Sequence, residues 1–131
     1  MIIESYLNVF ENTLTTSEQT GTDVVFGKPF SNDGVAIPES KTPLANTGIK
    51  LRVLVKEAIA AAATVKLVGK NVAGDSSYID VATYKIPISE AGKVYDYVLP
   101  ENSPCLLNVK VTGGSAAGKL LIRFEPVSRG Y

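Results

Sequence analysis

The chain has 131 residues, 45% of them hydrophobic, 8% aromatic and 20% charged, which is the size of one domain (1–131) and excludes a two-domain enzyme. Lysine plus arginine number 13 and aspartate plus glutamate also 13, so no net field draws the chain toward nucleic acid or an anionic membrane. With no histidine there is no imidazole base and no imidazole zinc ligand, and with Cys105 as the lone cysteine there is no intrachain disulfide.

The opening Met1-Ile2-Ile3-Glu4-Ser5-Tyr6 has no basic region followed by a long apolar run, and no later stretch approaches the ~20 apolar residues of a membrane span. The expectation is a soluble intracellular product. Ile2 to Phe10 alternates in part, and is read as the domain's own edge strand or as a strand added to a neighbouring subunit's sheet. From residues 12 to 47 the chain is rich in Thr, Ser, Asn, Gly and Pro, with Asp23-Val24-Val25-Phe26 as a short apolar piece between turn signals. Gly27-Lys28-Pro29, Ser31-Asn32-Asp33-Gly34 and Ile37-Pro38-Glu39 punctuate it too densely for a helix of normal length. This part reads as a loop-rich arm around one or two short strands.

Residues 48–131 form the strand-rich part. Ile49, Leu51, Val53 and Val55 share one face while Lys50, Arg52 and Lys56 take the other, the pattern of a half-buried antiparallel strand. Lys56 to Ala63 competes as a helix through its alanines, but two turns without an N-cap are marginal, and a loop with at most one helical turn is expected. Weaker alternation marks Thr64 to Lys70, Tyr78 to Ile88 and Lys93 to Leu99, the last with Tyr95, Tyr97 and Leu99 on one side. Clear alternation returns at Leu107, Val109 and Val111 and at Leu120, Ile122 and Phe124. Short strands separated by turn-forming segments indicate an all-β sandwich or barrel.

The chemistry on offer is sparse. Gly113 to Lys119 has glycines and a lysine but lacks the phosphate-loop spacing and runs into a strand, so it reads as a hairpin connection. Asp75, Asp80, Glu90 and Asp96 are the candidates for a carboxylate pair, all at turns or among polar neighbours where solvated carboxylates are expected. Asn71 to Asp80 and Ser31 to Gly34 lack the ligand spacing of a calcium loop. Cys105, with no histidine to activate it, is expected as a buried structural thiol. Tyr78, Tyr84, Tyr95, Tyr97 and Tyr131 combine apolar area with a polar tip, which suits either an interface or an ordinary core edge.

Met1-Ile2-Ile3-Glu4, the Asp23-Val24-Val25 strand after a Ser/Thr-rich segment, Leu51-Arg52-Val53-Leu54-Val55 leading into Glu57 to Val65, and the closing Ala116-Ala117-Gly118-Lys119-Leu120-Leu121-Ile122 resemble the small capsid cement, or decoration, proteins of short-tailed bacteriophages. The order of elements matches over nearly the whole chain. Gly27 to Asn46 departs from that family in being longer and richer in proline. The resemblance implies a jelly-roll-like antiparallel β-sandwich, here with a long Pro/Gly-rich N-terminal loop region. It implies a structural virion protein on the capsid exterior that clamps major capsid protein, with no catalytic residue, metal or cofactor.

A homo-oligomer, dimer or trimer, is expected, with Phe30, Ile37, Leu44, Tyr95 and Tyr97 as interface candidates because they are apolar residues in polar or turn-rich surroundings. The alternative is a carbohydrate-binding or tail-associated adhesin module, which would gather aromatic rings and polar groups on a concave face.

Overall fold

The computed structural model describes residues 8–25, 49–71, 76–100, 103–104 and 106–126. Among these the chain forms nine strands and no helix: β1 Asn8–Thr13, β2 Gln19–Thr20, β3 Val24–Val25, β4 Ile49–Glu57, β5 Ala63–Lys70, β6 Ile79–Ile86, β7 Val94–Val98, β8 Leu106–Thr112 and β9 Lys119–Pro126. One sheet has the order β1-β9-β4-β7. In the other, β2 and β3 pair in turn with β8, so five strands fill four positions in the order β2/β3-β8-β5-β6. All pairings are antiparallel. The chain crosses between sheets at nearly every connection, staying in one sheet only from β2 to β3 and from β5 to β6. This is the jelly-roll order of interleaved Greek keys.

Period-two alternation produces this arrangement directly. In β4, Leu51, Val53 and Val55 turn inward and are fully buried; Leu67 of β5, Val109 of β8 and Ile122 of β9 do the same from their own strands. The register stacks like on like, with Leu51 opposite Phe124 and Val53 opposite Ile122 in one sheet and Val65 opposite Val111 in the other. Each such side chain contributes roughly 1.5–3 kcal/mol by leaving water, and that is the driving force of the sandwich.

One local expectation is refined and one corrected. The stretch Lys56 to Ala63 contains the expected loop and no helical turn: β4 continues to Glu57, Ile59 forms a bridge with Ser89, and β5 begins at Ala63. Tertiary contacts override the alanine propensity. Ile59 is buried and its N–H donates to the Ser89 carbonyl at 3.0 Å. Gly114 lies so close to Ala61 and Ala62 that a β-carbon on it would come within 2.5 Å of the Ala62 carbonyl oxygen. The alanines serve as small residues that let a second loop approach.

Gly113 to Lys119 is likewise no hairpin, since β8 and β9 belong to different sheets and this segment turns the corner between them. Its turn depends on Gly118, whose φ of +99° favours glycine and whose α-carbon sits against Ile59.

The N-terminal strand pairs within its own domain: β1 runs antiparallel to β9 with Phe10 opposite Ile122. The arm contributes β2 and β3 as short strands on β8, and the rest of the Pro/Gly-rich region (residues 26–47) lies outside the described residues.

Candidate interaction surface

β6 and β7 are the outer strands of the two sheets on the same side of the sandwich, and tyrosines from both close the gap between them. Tyr97 is opposite Leu51 and Tyr95 opposite Val53, so both project inward from β7. Tyr84 projects inward from β6, opposite Val65. The rings of Tyr84 and Tyr97 stack across the sheets with centroids 4.2 Å apart and planes inclined by 21°. Partial burial raises both phenol pKa values, each with a smaller contribution from a neighbouring tyrosine. Tyr95 bonds Ser89 Oγ at 2.6 Å, and Ser89 Oγ donates to the Pro87 carbonyl at 2.7 Å, so the phenol is the donor to Ser89.

The two described interface candidates, Tyr95 and Tyr97, are therefore half-buried against the domain's own core. Their outward neighbours are what solvent meets on this strand. Val94 is 47% exposed and Val98 70%, and they are joined along the β6–β7 side by Ile79 (54%) and by Ile88 (68%) in the connecting segment. The described residues thus carry their large exposed aliphatics on the β6–β7 side. Phe30, Ile37 and Leu44 lie outside the described residues.

The outer face of the β1-β9-β4-β7 sheet is a web of charges around one apolar strip. Arg52 meets Asp96 through Nε at 2.8 Å and Nη2 at 3.0 Å, and Lys50 reaches the same carboxylate at 3.3 Å. Glu125 accepts Arg123 Nε at 2.8 Å and lies 3.2 Å from Arg52 Nη1. The hydrogen bond from Arg52, followed by that from Lys50, holds the Asp96 carboxyl below the usual carboxylate range against a burial effect of opposite sign. Beside this web, Leu54 lies opposite both Val94 and Leu121, and with Arg52 and Arg123 these residues line a shallow depression.

The outer face of the other sheet carries a clasp around Asn108, which is 1% exposed. Its amide Nδ2 donates to Asp23 Oδ1 at 2.7 Å and to the Gly21 carbonyl at 3.0 Å, while its Oδ1 accepts the Val109 N–H at 2.7 Å. Tyr78 Oη donates to the same Asp23 oxygen at 2.6 Å. Lys70 and Lys110 place their ammonium groups 4.7 and 5.5 Å from the Tyr78 ring centre. Burial, then the Asp23 carboxylate, raises the Tyr78 pKa. Together these contacts tie Gly21 and Asp23, before β3, to Asn108 of β8 and to Tyr78 before β6, so the cluster is accounted for as a fastening.

The candidate carboxylates are not brought together. Asp80 is on β6 with its side chain 72% exposed and 4.0 Å from Lys66, Glu90 is exposed in the turn before β7, and Asp96 is held by Arg52 and Lys50. Asp75 and Cys105 lie outside the described residues, as do Asn32 and Asp33. Among the described residues no three His, Cys, Asp or Glu side chains converge on a metal position, and no helix is long and apolar enough to cross a membrane.

No protein-family model and no curated protein matches the chain. A solved structure described as the crystal structure of PirA is similar in fold, with a TM-score of 0.54 and 13% identity over 94% of this chain and 97% of that one. At that identity the likeness concerns the fold alone.

Proposed function

We propose that this chain is a structural virion protein of a phage or prophage that decorates the capsid exterior by binding major capsid protein, and that it is not an enzyme. The observation carrying its role as a protein-binding module is that the large exposed aliphatics among the described residues, Ile79, Ile88, Val94 and Val98, all belong to β6, β7 and the segment between them. Exposed aliphatics grouped beside polar residues mark a surface made for another protein. The opposite edge is different: Glu11, Asn12 and Thr13 of β1 are exposed and polar, and Glu11 is paired with Lys56 at 2.7 Å. The capsid as partner rests on the resemblance in sequence, whose implied jelly roll agrees with the strand order. The tyrosines that an adhesin would display are committed to Tyr84–Tyr97 stacking and to the Tyr95–Ser89 bond, which leaves the adhesin reading without support from them.

The test is co-sedimentation with shells of the major capsid protein from the same genome. The native chain should travel with the shells, and Ile88→Asp should weaken retention by roughly tenfold or more, as expected when a charge enters an apolar contact. Thr20→Ala, on exposed β2, should leave retention unchanged. A native chain that stays in the supernatant contradicts the capsid reading, and full retention of Ile88→Asp contradicts the placement of the surface.

A further inference from the structure

Among the described residues β7 is hydrogen-bonded to β4 on one side and to no strand on the other. The Leu99 N–H donates to the Ile49 carbonyl at 3.1 Å and the Val55 N–H to the Lys93 carbonyl at 2.9 Å. Odd-numbered residues along this strand and its flanks therefore direct their backbone groups to β4. The alternation of an antiparallel strand then sends the N–H and C=O of Val94, Asp96 and Val98 outward, away from the sheet. The sequence of that strand, Val-Tyr-Asp-Tyr-Val, reads identically in both directions about Asp96.

We infer that β7 pairs antiparallel with β7 of a second copy of this chain about a two-fold axis through Asp96, joining two four-stranded sheets into one. The register follows from the palindrome. Val94 of each copy meets Val98 of the other on the outer face, Tyr95 meets Tyr97 on the inner face, and the two Asp96 residues face each other. With all pairing residues even-numbered, the outward backbone groups of both strands match, as an isologous contact requires. Sliding the register by two residues would set Asp96 against Val94 or Val98 and lose the like-with-like match.

Self-complementarity of the strand singles out a second copy as the occupant. On each outer face the cations Lys50, Arg52 and Arg123 are set against the carboxylates Asp96 and Glu125, so both copies bring the same internally paired set of charges. Opposed like charges would ordinarily disfavour the central pair, but here both carboxylates are already held by Arg52 and Lys50 of their own copies. The remaining edges lack these properties: β6, Ile-Asp-Val-Ala-Thr-Tyr-Lys-Ile, has no such symmetry, the exposed end of β1 is polar, and β2 and β3 are two residues each. The dimer takes Val94 and Val98 of the surface proposed above and leaves Ile79 and Ile88 to a further partner.

Sedimentation velocity on the purified full chain tests it, with circular dichroism confirming that each variant keeps its strands. The native chain should be a dimer at high micromolar concentration. Val94→Lys alone and Val98→Asp alone should each weaken dimerisation by roughly tenfold or more, since each sets a charge against an aliphatic partner. Both positions are exposed in the single copy, so neither change disturbs its core. Combining the two substitutions should restore the dimer, because the axis then places the introduced positive charge of one copy opposite the introduced negative charge of the other. A native chain that remains monomeric, single variants that dimerise like the native chain, or a double variant weaker than both singles would overturn the inference. A dimer that fails to bind shells would count against the capsid reading alone.

Discussion

Asp96 has two neighbourhoods. Toward its own sheet it closes a charged web with Arg52 and Lys50, and along the free edge it occupies the centre of the symmetric strand. Because its folded pKa is lowered, its ionised form favours the folded state. That contribution is present above the ordinary carboxylate range and is lost as the pH falls through that range toward the depressed value. The carboxylate is 36% exposed, so solvent screening keeps its worth at neutral pH below about 1 kcal/mol. Asp96→Asn should accordingly cost under ~1 kcal/mol at pH 7 and flatten the acid limb of the stability curve, measured by urea unfolding at a series of pH values. An acid limb as steep as that of the native chain would show that Asp96 is not a source of it. Tyr97 is the complementary case: its ring fills the gap between the sheets while the outward neighbours Asp96 and Val98 meet solvent, so one strand serves core and surface through alternate residues.

At the level of elements, the corner between β4 and β5 shows how a segment of helix-forming residues becomes a bend. Ile59 plugs the sandwich end, held by Ser89 and covered by Gly118. Ile59→Ala should destabilise the fold by about 2–5 kcal/mol through the lost burial and the cavity, read as a lower urea midpoint with an unchanged slope; a shift below about 1 kcal/mol would mean the corner collapses around the gap. The strands β4, β8 and β9 were legible in the chain because apolar residues alternate with polar ones along each, although the second face of β8 is covered at Asn108, and the same alternation holds for the inward set Tyr95, Tyr97 and Leu99. The loop at Ala60 to Ala62 was legible because two turns without an N-cap cannot sustain a helix, whereas the close approach of Gly114 that shapes it comes from the far side of the chain. Tyr84 was not singled out as the partner of Tyr97 for the same reason: a contact between sheets leaves no periodic mark. The palindrome of β7 was present in the residues, but only the strand order makes that strand an edge and gives its symmetry a consequence.

Across the whole molecule the two sides of the sandwich divide their tasks. On the β1 and β2/β3 side, ion pairing of Glu11 with Lys56 and the Asn108 clasp blunt and fasten the edges. On the β6–β7 side the core is closed by tyrosines, and, among the described residues, aliphatic side chains and a strand edge without a partner strand face outward. A chain of equal positive and negative charge has no long-range attraction to bring a partner in, so recognition is left to short-range contact. A rigid jelly roll with one prepared side suits a staple between other proteins. The most direct measurement is a cryo-electron microscopy reconstruction of major capsid protein shells saturated with this chain. The account predicts sandwich density on the outer surface of the shell with the β6–β7 side turned against capsid protein and a second copy; bare shells, or bound sandwiches whose β6–β7 side faces solvent, would contradict it.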